Sequence, residues 1–431
     1  MSMILRDFGF TALIIAAAAA AGAQSRPEYI PFAPTTVKGA LFRPDSGPAP
    51  HVGVLVMHRT LNFLPHIANT ELARRGFLVL GMNSRFDNND TAIHWEDIAL
   101  DVRSGVEYLK RQPGITRVVL LGYSGGGPTM SFYQAVAEKG TVYCQGPNKL
   151  SPCGNNLAGL PKADGLVFID ASPGAVGALR GLNAAVTDEA APRMLAPDLN
   201  PFNPANGFVP DRPLHYSEEF KAKYFAAQSA RMNRLIDAAQ AMVMSMHEGT
   251  STFPDDDVMV IARAEGARLM DPDPTIHHGT SKPQKFLRDN GTIVTKVVDS
   301  TLPPVRISES GNATFDAARM MTVTSFLSAT AIRSTNSMDG VDWCSSNTST
   351  PCALRSISVP VLFTAMGASS LMWDNEVHFE NAASHDKDFV VVEGLLHGII
   401  PCGFCGASER EYANGAKNLF DYIQQWINKR F

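Results

Sequence analysis

VVLLGYSGGGPTM, residues 118–130, joins an apolar strand-length run, a glycine-rich turn and the start of a helix without any spacer. Val118–Leu121 is short, branched and apolar, the composition of a strand buried on both faces. Gly122-Tyr123-Ser124-Gly125-Gly126 follows at once and reads G-x-S-x-G, and helical character continues to about Lys139. A serine on so sharp a strand-to-helix turn needs glycine neighbours, because a Cβ there would collide with the crossing backbone. A phosphate-binding loop would end in Lys-Ser/Thr, which this run lacks.

The same alternation extends in both directions. Val52–Met57 (VGVLVM), Gly76–Met82 (GFLVLGM), Gly165–Ile169 (GLVFI), Val359–Ala365 and Phe389–Val392 read as strands. Ile67–Arg75 is helix-like, and Ile93–Lys110 places Ile98, Val102, Val106 and Leu109 on one helical face. Ser408-Glu409-Arg410-Glu411 fits a capping box. It precedes a stripe of Tyr412, Ala416, Leu419, Phe420, Ile423 and Ile427. Strands alternating with helices predict an α/β fold with a mostly parallel, doubly wound sheet.

About 180 residues separate Ile169 from Val359, far more than a crossover needs. This stretch is expected to be an insertion, a lid or cap over one edge of the sheet. It has helix-like segments at Ser217–Met246 and Ala317–Ala331 and Pro-rich loops at Ala191–Pro213 and Asp271–Pro283. Its methionines, Met242, Met244, Met246, Met320 and Met321, read as core material. The expected organisation is a signal peptide over 1–23, a first core segment over 24–174, the inserted region over 175–355 and a second core segment over 356–431.

Composition restricts the partners. Of 431 residues, 45% are hydrophobic and 18% charged, with 37 Lys+Arg against 42 Asp+Glu and a formal net charge of -5. Those values belong to a globular chain, and a mildly acidic balance without basic runs argues against nucleic acid or an anionic membrane. Phe8–Ala20 is apolar apart from Thr11 and leads into Ala21-Gly22-Ala23, the pattern of a cleaved secretory signal with a mature chain near Gln24. The run is shorter than the ~20 residues a membrane span requires, so no stable span is expected in the mature chain.

Six cysteines lie in three local pairs, Cys144/Cys153, Cys344/Cys352 and Cys402/Cys405. Behind an export signal they are expected to form Cys144–Cys153, Cys344–Cys352 and Cys402–Cys405 disulfides that staple loops. Asn89, Asn290, Asn312 and Asn347 begin Asn-x-Ser/Thr sequons, which matter only in a host that glycosylates them.

A serine hydroxyl attacks a carbonyl only with a base beside it and an acid to orient that base. His397, in EGLLHG at 393–398, lies directly after the last strand and before the closing helix. His277 and His278 have no third partner at metal-ligand spacing and read as loop histidines.

The elbow GYSGG at 122–126, His397-Gly398 after the terminal strand and the strand–helix order around them resemble the α/β-hydrolase fold superfamily. The resemblance covers roughly Val37–Ser172 and Ser356–Phe431, and the insertion lies between strands 6 and 7 of that plan. It implies eight strands, active-site loops at the strand C-termini and a Ser…acid…His order. The acid is then expected after Val359–Ala365, where GASSLMWDNE at 367–376 offers Asp374 first and Glu376 second. Asp170, at the end of the preceding strand, is the other alternative. Gly125 is expected to give one oxyanion N–H, with Arg59 or Thr60 of HRTL at 58–61 giving the second; Arg59 stands where many relatives have glycine. Tyr123, Arg59 and Arg85 are the candidate substrate-binding residues, the two arginines as a fork for a substrate carboxylate.

The combined expectation is an exported serine hydrolase acting on a small-molecule carboxylic ester through an acyl-enzyme. It would use Ser124, His397 and Asp374 and need no metal or organic cofactor. An amidase or peptidase with the same triad is the nearest alternative, and a non-catalytic binding module a remote one.

Overall fold

The computed structural model describes residues 26–431 except 192, 211, 305–317, 407 and 409. The expected signal peptide and the Asn312 sequon fall outside the described residues.

Eight of the strands of the central sheet lie side by side in the spatial order β1-β2-β4-β3-β5-β6-β11-β12. They are β1 (Glu28–Pro31), β2 (Lys38–Phe42), β3 (Val52–Met57), β4 (Leu78–Met82), β5 (Arg117–Tyr123), β6 (Gly165–Ile169), β11 (Val361–Ala368) and β12 (Lys387–Leu396). From β4 through β12 the neighbours run parallel, while β1 and β2 are antiparallel additions at one edge. The architecture is an α/β fold with a mostly parallel sheet, as expected.

Alternation along each central strand supplies both faces of the sheet. Leu55 and Met57 of β3 and Val118 and Leu120 of β5 enter one buried cluster. Val54, Val56, Val119, Leu121 and Tyr123 enter the opposite one. The first face is covered by α2 (Trp95–Lys110), α3 (Gly126–Lys139) and the Thr350–Leu354 and Met372–Asn381 helices; the second by α1 (Ile67–Arg74) and the Gly415–Asn428 helix.

Two expectations about the elements are corrected. The closing helix begins at Gly415 with Asn414 at its N-cap, so Ser408–Glu411 is not its capping box. Residues 319–322 form β10, paired antiparallel with β7 (Val258–Ile261), and the helical turns start only at Val323.

The long insertion does two different things. Its β8 (Gln284–Leu287) joins the main sheet parallel to β12, and β9 (Ile293–Lys296) folds back antiparallel on β8. With the two-residue β13 (Ile400–Pro401) on β12, the sheet has 11 strands among the described residues, not eight. In the remainder, α4 (Ala175–Gly181) and the long α5 (Glu218–His247), capped by the Ser217 hydroxyl, share a buried cluster with Met321 and Phe326. Met321 is buried as expected of core, whereas Met244 and Met320 are exposed.

This part of the insertion is tied to the Met372–Asn381 helix by buried charge. Arg180 of α4 donates from Nη1 to Asp374 Oδ1 at 2.8 Å, and Arg268 donates to Asp374 Oδ2 at 3.1 Å. Arg180 also lies 4.9 Å over the Trp373 ring. Asp374 and Arg180 are 1% and 3% exposed, so removing the Asp374 charge strands Arg180 in a dry setting, whereas Asp374 without Arg180 keeps Arg268. Three disulfides, Cys144–Cys153, Cys344–Cys352 and Cys402–Cys405, join the local pairs.

Beside Asp374 on the same helix, His378 is fully buried and neither ring nitrogen has a hydrogen-bond partner. Burial pushes its pKa down to about 4, with Asp374 opposing and Arg180 assisting. The unfolded chain takes up a proton near pH 6.5 that the folded chain refuses. Stability is therefore complete above pH 6.5 and falls as pH drops toward 4, by up to ~1.4 kcal/mol per pH unit for this group. His378→Phe should flatten the decline in unfolding free energy between pH 6.5 and 4, measured by urea titration; an unchanged slope would assign that decline to other groups.

Candidate active site

The elbow is the tightest point of the fold. Ser124 has φ +52°, a conformation an L-residue adopts only under constraint. The constraint is backbone crossing: a Cβ on Gly126 would sit 2.4 Å from the Met57 carbonyl oxygen, and one on Gly122 would sit 2.5 Å from that of Gly126. Ser124 is pinned further by its N–H donating to the Ile169 carbonyl and by its own carbonyl accepting from the Gly127 and Ser172 amides.

Ser124 Oγ lies 3.0 Å from His397 Nε2, and His397 Nδ1 lies 2.6 Å from Asp170 Oδ2. These three side chains come from the ends of β5, β12 and β6. Asp170 is fully buried with φ +44°, so the strand end turns its carboxylate toward His397. Two more donors hold that carboxylate: Ser369 Oγ at 2.6 Å to Oδ2 and the Met366 amide at 3.2 Å to Oδ1. Burial lowers the His397 pKa, but the hydrogen bond to Asp170 and its negative charge outweigh that and leave it above the ordinary 6.5.

The expected acid is corrected by this geometry. Asp374 does not meet His397; both its oxygens serve Arg180 and Arg268. Glu376 accepts from the Ser281 and Lys282 amides and from Gln284 Nε2, fastening the entry to β8. The loop after β11 contributes Ser369 instead of a carboxylate.

The 58–60 loop packs directly on the elbow, for a Cβ on Gly125 would fall 2.5 Å from His58 Nε2. His58 is buried, and burial, then the positive Arg59, push its pKa down to about 3, so the ring is neutral. Its Nδ1 accepts from the Thr60 and Leu61 amides. That commits the Thr60 N–H and corrects its assignment as an oxyanion donor. The Arg59 and Gly125 amides have no acceptor among the described residues. Ser84 Oγ donates to the Arg59 carbonyl and fixes the orientation of that peptide.

The substrate-binding expectations divide. Arg85 is consumed by Asp101 at 2.7 and 3.0 Å and Asp97 at 3.1 Å, which removes it from the site. Tyr123 points into the core and donates its hydroxyl to the His397 carbonyl at 2.5 Å, supporting the histidine loop from below. Arg59 lines a cavity of about 330 Å³ beside the elbow, together with Ser172, Glu265, Arg268, Asp271 and Arg319. His277 is a loop residue as expected, but it stacks on Trp373 with ring centroids 4.0 Å apart. His58 and Ser369 escaped sequence reasoning: only HRTL at 58–61 and the expected acid loop at 367–376 brought attention near them.

No family model matches the chain, and no curated protein does. Among solved structures, the chain is similar to a hypothetical protein from Pseudomonas aeruginosa with a TM-score of 0.45 and 12% identity, over 94% of this chain and 95% of that one. It is similar to the α/β hydrolase GrgF from Penicillium with a TM-score of 0.44 and 11% identity, over 94% and 98%. It is similar to Est1E from Butyrivibrio proteoclasticus with a TM-score of 0.41 and 8% identity, over 94% and 99%.

Replacing Asp170 with Asn removes the charge that raises the His397 pKa but leaves the burial that lowers it. Asp170→Asn should bring the His397 pKa below 6.5, followed by NMR titration of the imidazole protons. A pKa that stays above 6.5 would show that another group holds the imidazolium.

Proposed function

We propose that the chain is a serine hydrolase that cleaves carboxylic esters through an acyl-enzyme. The observation that carries the reading is the unbroken line from Ser124 Oγ through His397 to the buried Asp170 carboxylate. Ser124 attacks the ester carbonyl while His397 Nε2 takes its proton. Asp170 fixes the ring with Nδ1–H toward itself and stabilises the imidazolium that forms. His397 then gives the proton to the departing alkoxide, and water repeats the sequence on the acyl-enzyme. The Gly125 and Arg59 amides, on two segments in contact at the elbow, are the proposed donors to the tetrahedral oxyanion. The proposal includes export: three disulfides suit an oxidising compartment, and among the described residues no helix is long and apolar enough to cross a membrane.

The purified protein should hydrolyse p-nitrophenyl esters and be labelled by a fluorophosphonate, with both properties lost in Ser124→Ala. Absence of both in the folded wild type would overturn the reading. Asp170→Asn should lower kcat by about 10³–10⁴-fold, the scale set when a triad acid loses its charge.

Because the free enzyme needs neutral His397, kcat/KM should rise with pH through a pKa above 6.5 and then level off. Asp374→Asn should keep that profile while lowering stability, by about 3–5 kcal/mol if Arg180 is left unpaired in place. A bell or plateau displaced by Asp374→Asn would return Asp374 to the triad.

A further inference from the structure

The cavity beside the elbow has charge on one wall and apolar groups on the other. Leu182, Met232, Ile261 and Phe326 make the apolar side; Arg59, Arg268 and Arg319 make the charged side, with Glu265 and Asp271 among them. Ser172 also lines it, and the Ser172 amide donates to the Ser124 carbonyl at 2.9 Å, so the cavity lies beside the elbow segment.

The three guanidinium groups are not equally occupied. Arg268 donates from Nη2 to Asp374 at 3.1 Å and to the Ser370 carbonyl at 3.0 Å, and its Nε faces Asp271 at 3.6 Å without a hydrogen bond. Arg319 is spent on Glu265 at 3.1 Å, with Asp90 at 3.7 Å. Among the described residues, Arg59 has Asp90 at 4.0 Å and its buried Nε has no hydrogen-bond partner. Partial burial lowers the Arg59 pKa, with Asp90 opposing, while the side chain stays 28% exposed and so open to the cavity. An incoming anion would restore the missing hydrogen bonds in a setting where a fork-like carboxylate contact is strong.

We infer, building on the hydrolase reading above, that the enzyme's substrate is an ester carrying a free carboxylate, which the Arg59 guanidinium binds at the cavity wall while the Arg59 amide meets the scissile carbonyl oxygen. One residue then reads the substrate twice, through its backbone for the reaction and through its side chain for the charge. The apolar wall receives the hydrocarbon that separates or flanks the two polar groups. Arg85, the other arginine of the sequence-based fork, takes no part because Asp97 and Asp101 hold it.

The test compares carboxylates with their neutral carboxamide counterparts, on either side of the ester bond. One pair is the p-nitrophenyl monoester of adipic acid against that of its monoamide. The other is 3-carboxyphenyl butyrate against 3-carbamoylphenyl butyrate. Wild type should favour the carboxylate in at least one pair by about tenfold in kcat/KM, equal to about 1.4 kcal/mol. Arg59→Gln should abolish that ratio, whatever happens to the two absolute rates, and Arg59→Lys should restore part of it. Carboxamides hydrolysed as well as carboxylates in both pairs, or equal losses in Arg59→Gln, would overturn the inference while leaving the hydrolase reading intact.

A binding arm separates the two readings if hydrolysis is not seen. Adipate, compared with adipamide, should raise the Tm of wild type and not of Arg59→Gln. No adipate-specific rise overturns the carboxylate site, and failure of fluorophosphonate labelling overturns the hydrolase.

Discussion

Everything at the proposed site depends on how closely three chain segments approach at residues 122–127. The Met57 carbonyl, the Gly126 backbone and the first turn of α3 occupy space in which no Cβ fits. Ser124 is thereby driven to positive φ and its hydroxyl stands clear of the sheet edge, within reach of His397. The same contact brings the Arg59 peptide next to Gly125, because β3 and β5 are parallel neighbours ending at the same level. Backbone strain of this kind persists only where the surroundings over-determine it, here through the Ile169 carbonyl and the Ser172 and Gly127 amides.

Around that point the charged groups have separate duties. Asp170 is buried with three donors on its two oxygens and serves His397. Asp374 is buried with two arginines and holds α4 and the 267–271 segment against the Met372–Asn381 helix. Glu376 fastens the start of β8. Three carboxylates that look alike in a sequence are thus an orienting group, a tether for part of the insertion and a tether for a sheet edge. Arg59 and Arg268 both line the cavity with an Nε that has no hydrogen-bond partner among the described residues, but Arg268 is held by Asp374 and the Ser370 carbonyl, and Arg59 has no such anchor.

The insertion is likewise not one thing. A stretch that reads as one interruption between two halves of a sheet adds β8 and β9 to the sheet edge and elsewhere builds a buried cluster of its own around α4 and α5. β8 is short and runs as QKFL, too little pattern to announce a parallel partner that lies about a hundred residues further along the chain. The start of the final helix was misread for a related reason: Ser408–Glu411 has the residue types of a capping box, but Cys402–Cys405 and the turn through Tyr412 postpone the helix to Gly415.

What the sequence determined by itself was local in origin. Apolar runs of strand length, helical periodicity and glycines bracketing Ser124 are features of a few consecutive residues, and they sufficed for the α/β architecture, the elbow and the loop that holds His397. The partner of His397 was a different kind of question. Asp170 sits at the end of β6, and Asp374 in the helix that follows the adjacent strand β11, and by sequence order either could face the histidine. The choice was made by groups distant in sequence: Arg180 and Arg268 draw Asp374 away, while the positive φ at Asp170 and the Ser369 hydroxyl aim its carboxylate at His397. Hydrogen bonds and ion pairs of that reach depend on direction and distance in space, and a linear order of residues contains neither.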